Sequence, residues 1–139
     1  MNVLVDTTVW SLALRRQHAD LAPVERSSVE ELGELVQEGR ARMIGLIRQE
    51  LLSGIKSHDQ FEKLRTTLRA FPDELLGTSD YEAAAESSNR CRAKGIVVSV
   101  VDILICSIAI SRGWSVFTTD PDFQNYARVL PVVLHPARI

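Results

Sequence analysis

Short β-branched runs alternating with helical stretches predict an α/β fold, a three-layer α/β/α arrangement around a central, mostly parallel sheet of four to five strands. Two further observations point the same way. Asp6 and Asp120 both emerge from the ends of predicted strands, so both belong at one edge of a parallel sheet. Residues 101–111 are apolar almost all round, as in a helix buried within a domain.

Val3, Leu4 and Val5 form the first strand, a run apolar on both faces. Asp6 ends it, and Val9, Leu12 and Ala13 then share one helical face. The ordinary job for Asp6 is to cap that helix. After a polar link, Ser27-Ser28-Val29-Glu30 has the spacing of a capping box and predicts a helix with Val29, Leu32 and Val36 inward, closed at Gly39. Residues 42–45 read as a second strand. Residues 46–55 read as a helix with Ile47, Leu51 and Ile55 stacked, and Glu50 at the border of that stripe. Ser57 opens a helix whose face is Phe61, Leu64 and Leu68. Residues 71–77 form a link with the character of a short edge strand. Ser79-Asp80-Tyr81-Glu82 is a further capping box, and Gly95 closes the helix it opens. Residues 96–98 are extended. Ser99 caps the buried helix, and Gly113 ends it. Residues 114–117 form a strand, a helix follows Asp120-Pro121, and residues 129–134 form a last strand whose Pro131 places it at a sheet edge.

A chain of 139 residues is expected to form one domain, residues 1–139, with a substantial core. The net charge of -2 gives no global basic signature, so nucleic-acid contacts require a local basic surface. Candidates for that surface are Arg15 and Arg16, then Lys63, Arg65 and Arg69, then Arg90, Arg92 and Lys94. Trp10 and Tyr81 are aromatic candidates for base stacking, with packing the commoner role for both. Cys91 and Cys106 fall in helical patterns, as buried free thiols in a reducing compartment do. The first residues lack the basic region of a signal peptide, and no run approaches the ~18 apolar residues that span a bilayer. A cytoplasmic location without membrane contact is the expectation.

Four acids carry the chemistry: Asp6, Glu50, Asp102 and Asp120. Each has a structural role available, as cap, border residue or first-turn acid. Yet Asp102 opens the most buried helix, where an unpaired carboxylate costs several kcal/mol. Carboxylates meeting at a sheet edge repel one another unless a cation joins them. His18, His58 and His135 have no ligand spacing, and neither cysteine lies in an acidic segment, so an all-oxygen site for Mg²⁺ or Mn²⁺ fits better than zinc.

Four stretches in this order carry a resemblance: residues 3–10 around Asp6, residues 48–54 around Glu50, residues 95–109 around Asp102, and residues 118–123 around Asp120. Together they resemble the PIN-domain nucleases, and among them the VapC-type toxins of toxin–antitoxin pairs. The resemblance implies a PIN-like fold and Mg²⁺- or Mn²⁺-dependent endonucleolytic cleavage of RNA. It implies Asp6, Glu50, Asp102 and Asp120 as catalytic, metal-binding acids, with Thr7 and Thr119 at hydroxyl positions beside them and Asp122 as an outer acid. It also implies a homodimer and a small VapB-like antitoxin laying an apolar helical segment in a groove. The 46–55 helix and the Phe61, Leu64, Leu68 face are candidate walls for that groove. Ser99-Val100 stands where many such sequences carry prolines, a departure that touches the backbone before Asp102 and not its carboxylate. A PIN-like protein of RNA processing and a metal-free binding module are the alternatives. A receiver-like signalling domain would need a lysine after a late strand, where this chain has Thr118-Thr119-Asp120.

Overall fold

The computed structural model describes residues 1–138. Its sheet has three parallel strands in the order β2-β1-β3. The central strand β1 (Val3–Val5) is completely buried, as its apolar run requires, and aligns residue for residue with β3 (Ser115–Phe117). On its other side lies the two-residue β2 (Ala41–Arg42). The expected four to five strands are therefore three. The stretches 71–77 and 129–134 each contribute a single bridge, Met43 to Asp73 and Val116 to Leu134. Backbone chemistry accounts for both. Pro72 and Pro131 bring no N–H to a ladder. The 71–77 link is held instead by guanidinium groups: Arg48 donates to Asp73 Oδ1 (3.0 Å), Leu68 O and Phe71 O, and Arg112 donates to Glu74 (2.8 Å), Asp80 (2.5 Å) and Leu75 O.

Seven α-helices surround the sheet among the described residues: α1 (Thr7–Leu14), α2 (Pro23–Gln37), α3 (Gly45–Leu52), α4 (His58–Leu68), α5 (Thr78–Ala93), α6 (Val100–Arg112) and α7 (Asp122–Tyr126). Helix α6 is the hub. Ile103, Ile105, Cys106, Ile108 and Ala109 are all fully buried, and it packs on α5 and on β3. Ser99 Oγ accepts from the Asp102 amide at its start, and Gly113 (φ 71°) terminates it in the left-handed conformation that glycine adopts without a Cβ penalty.

Several expected boundaries move. Helix α2 begins at Pro23, with Glu25 accepting from the Ala22 amide (2.8 Å), so the box at residues 27–30 lies inside it. Its buried face is Ser28, Glu31, Leu32 and Leu35, while Val36 is 38% exposed. Glu31 is tolerated there because His135 Nε2 (2.5 Å) and Arg138 Nε (3.0 Å) hold its carboxylate, which fixes the end of the chain onto α2. Helix α5 likewise starts one residue before the expected box, with Asp80 accepting from the Gly77 amide (2.9 Å). Helix α3 stops at Leu52, before Gly54 (φ 83°), so Ile55 lies beyond it. Residues 96–98 are extended but outside the sheet, and Val97 is 91% exposed. Both cysteines are free and buried, as expected. Trp10 is core: its indole donates to Val5 O (3.1 Å) and its ring meets Phe71 edge-on at 4.8 Å. Tyr81 is exposed.

Candidate active site

The carboxyl ends of β1 and β3 carry the acids outward together. Asp6 follows β1 and is buried at 4% exposure. Its Oδ1 accepts from the Thr7 amide (2.8 Å), so the capping role is real. Its Oδ2 accepts from Thr118 (2.7 Å) and Thr8 (3.1 Å) hydroxyls. Capping and site chemistry are thus compatible, because a carboxylate has two oxygens and capping uses one. Thr7 also reaches α3, where its hydroxyl donates to Glu50 Oε1 (2.7 Å).

Asp102 projects from the first turn of α6, and Tyr126 of α7 donates its hydroxyl to Oδ2 (3.1 Å). Asp120 sits in the turn between β3 and α7, with its amide on Thr118 Oγ1 (3.0 Å) and its Oδ1 accepting from the Asp122 amide (2.9 Å). One carboxylate oxygen from each of Asp102, Asp120 and Asp122 lies within 4.8 Å of the others. Asp122, expected as an outer acid of the site, lies within that same distance of both Asp102 and Asp120.

The charges feel one another. Burial raises the Asp6 carboxyl above its ordinary value; its three hydrogen bonds oppose that shift, and Glu50 adds to it. Burial also pushes Asp102 up to about 6; the Tyr126 hydrogen bond opposes this, and Asp6, Asp120 and Asp122 add repulsion. The repulsion links Glu50 to Asp6, Asp6 to Asp102, and Asp102 to Asp120 and Asp122, in one continuous acidic patch. Its donors are all carboxylate oxygens, the set that a hard divalent cation prefers.

Three participants escaped the sequence reading. Thr118 ties Asp6 to the Asp120 turn, Thr8 joins that bridge, and Tyr126 orients Asp102. Thr119, singled out for its hydroxyl, enters through its amide, which donates to Thr8 Oγ1 (3.2 Å). A Thr pair after a strand marks the spot, but nothing local says which hydroxyl turns inward.

The PIN-domain family model matches residues 3–129, a span that contains every acid of the patch. The chain belongs to the PIN-domain family. Among related PIN proteins, a VapC ribonuclease of Mycobacterium bovis and ribonuclease VapC11 of Mycobacterium tuberculosis are each 30% identical over 131 residues, covering 91% of this chain and 92% of the relative. The same PIN fold is found in FitAcB from Neisseria gonorrhoeae (TM-score 0.76, 20% identity, 99% of both chains). It recurs in VapBC2 from Rickettsia felis (TM-score 0.71, 16% identity, 97% of this chain and 98% of that one), a structure solved with a promoter DNA fragment. No helix among the described residues is long and apolar enough to cross a membrane.

Proposed function

We propose that this PIN domain is a Mg²⁺- or Mn²⁺-dependent endoribonuclease and the toxin of a VapBC-type pair, acting in the cytoplasm as a homodimer with a small antitoxin partner. The observation that carries the reading is the meeting of acids from β1, α3, α6 and the β3–α7 turn in one patch. The kinship to proteins named as VapC ribonucleases supports the choice of RNA and of a toxin–antitoxin pair.

Asp102, Asp120 and Asp122, with Asp6 behind them, would hold the ion. A divalent ion so bound lowers the pKa of a coordinated water and neutralises charge growing on the phosphate. The protein's own part is positioning. Thr8, Thr118 and the Thr7 amide fix both oxygens of Asp6. Tyr126 fixes the rotamer of Asp102. Glu50, exposed and held at one oxygen by Thr7, keeps its other oxygen for the attacking water, whose proton it can accept. Histidine is not needed as a base: His135 is engaged with Glu31 on the α2 side.

The test is cleavage of cellular RNA by wild type, Asp6→Asn and Asp102→Asn, with Mg²⁺ or with EDTA. Either substitution is expected to lower the rate by about 100-fold or more, and chelation to stop it. Cleavage indifferent to both substitutions and to EDTA would reject the reading.

A further inference from the structure

Beyond the acidic patch, the chain carries a groove of ≈ 390 Å³ at the far ends of α1 and α3 and along α4. Its rim is Arg15, Lys56, Gln60 and Lys63, all exposed, and no acid lines it. None of Arg15, Lys56 and Lys63 forms an ion pair with a carboxylate among the described residues, whereas the neighbouring Arg16 and Arg65 are taken by Glu25 (3.2 Å) and Glu62 (2.5 Å). Exposed lysines and arginines without partners, gathered on one concave surface of a chain with net charge -2, form a local basic site that the overall composition hides.

Two segments run from the acidic patch to the groove. Thr7 and Glu50 touch at the patch; Leu14 and Gly54, farther along the same two segments, line the groove. Seven residues of α1 separate its two ends, about 10 Å at 1.5 Å per residue. A nucleic-acid strand with its scissile phosphate at the acids would need to run along α1 for its flanking phosphates to meet Arg15, Lys56 and Lys63.

We infer that this groove is a phosphate-backbone subsite for the single-stranded RNA substrate, outside the catalytic acids. The inference rests on the ribonuclease reading above. The apolar lining is Leu14, Ile55 and Leu64, of which Leu64 is buried and the other two are half-buried. Above that lining the cations Arg15, Lys56 and Lys63 are free to meet an anion. Contacts of this kind position a strand without reading its sequence.

The experiment measures binding of a fluorescein-labelled oligouridylate by anisotropy in EDTA, and cleavage of cellular RNA in Mg²⁺, for wild type and for the triple variant Arg15→Ala, Lys56→Ala, Lys63→Ala. The groove assignment predicts a Kd raised about tenfold or more and a log–log salt slope reduced by roughly 2, since each lost phosphate contact on a single strand removes about 0.7. Cleavage should show raised KM with kcat retained, and the charge-keeping variant Arg15→Lys, Lys56→Arg, Lys63→Arg should bind as wild type does. Thermal melting checks that the triple variant is folded; if it is not, the three single variants, each expected to shift Kd in the same direction, decide. Unchanged Kd and salt slope, with wild type cleaving RNA, would overturn the groove while leaving the nuclease intact. Wild type that neither binds nor cleaves RNA would overturn both. Displacement of an acidic helical peptide from the groove without any change in RNA affinity would overturn the RNA assignment in favour of a protein occupant.

Discussion

Asp102→Asn is expected to do two opposite things: to abolish RNA cleavage and to raise the melting temperature of the metal-free protein near pH 8. The first follows from the proposed metal-binding role of Asp102, whose charge the cluster with Asp120 and Asp122 would lose. The second follows from linkage. Burial and the neighbouring acids raise the Asp102 carboxyl from 3.8 to about 6 in the fold. Between those values the native protein holds a proton that the unfolded chain has released, so stability falls as pH rises through that window. Above about pH 6 the fold carries the full cost of an ionised, repelled carboxylate. Asparagine removes the charge and keeps an oxygen for the Tyr126 hydroxyl. Discounting for the solvent that reaches this half-buried group, the gain is about 1 kcal/mol, or roughly 3–5 °C in a domain of this size. The gain should vanish below about pH 3, where Asp102 is protonated in both states. Thermal melts of both proteins in EDTA across that range check it. Equal melting temperatures near pH 8 would mean that the acids do not strain the fold.

Trp10→Ala is expected to be among the most destabilising single changes in the chain, costing about 3–5 kcal/mol in denaturant unfolding. Trp10 is 2% exposed, so its removal opens a large cavity between α1 and the 71–77 link, where it meets Phe71. It also strips Val5 O of the indole donor (3.1 Å) at the last residue of β1, just before Asp6. The conservative Trp10→Phe keeps most of the packing and isolates the second effect, an orphaned carbonyl worth about 1–3 kcal/mol. Because the lost hydrogen bond anchors α1 to the strand that presents Asp6, Trp10→Phe should also weaken metal-dependent activity in protein that remains folded.

How much was legible in the sequence follows the range of the interactions. The burial of β1, the all-round apolar α6, the Ser99 cap and the Gly113 stop are local patterns, and they appear where composition puts them. The start of α2 was signalled by Pro23 but masked by the better-looking box at Ser27. The sheet was overcounted because an apolar run says nothing about how many of its amides find a ladder, and Pro72 and Pro131 leave each stretch with a single bridge. Asp6, Asp102 and Asp120 stood out because each lies where an element ends or opens, whereas Glu50 lies within α3 and had only its place on the helix border to mark it. Asp122 joins them because the turn at Pro121 folds its carboxylate back beside Asp120. Thr118 reaches Asp6 across 112 positions and Tyr126 reaches Asp102 across 24, contacts that no local pattern encodes.

The most direct measurement is calorimetric titration of Mn²⁺ into wild type and Asp102→Asn, at about pH 8 and about pH 5.5. Acids gathered for one cation should bind it in wild type, release protons in doing so at the lower pH, and bind more weakly there. In the Asn variant the affinity should drop by about tenfold or more. Identical titrations for the two proteins, or no heat from wild type at either pH, would contradict a shared divalent site.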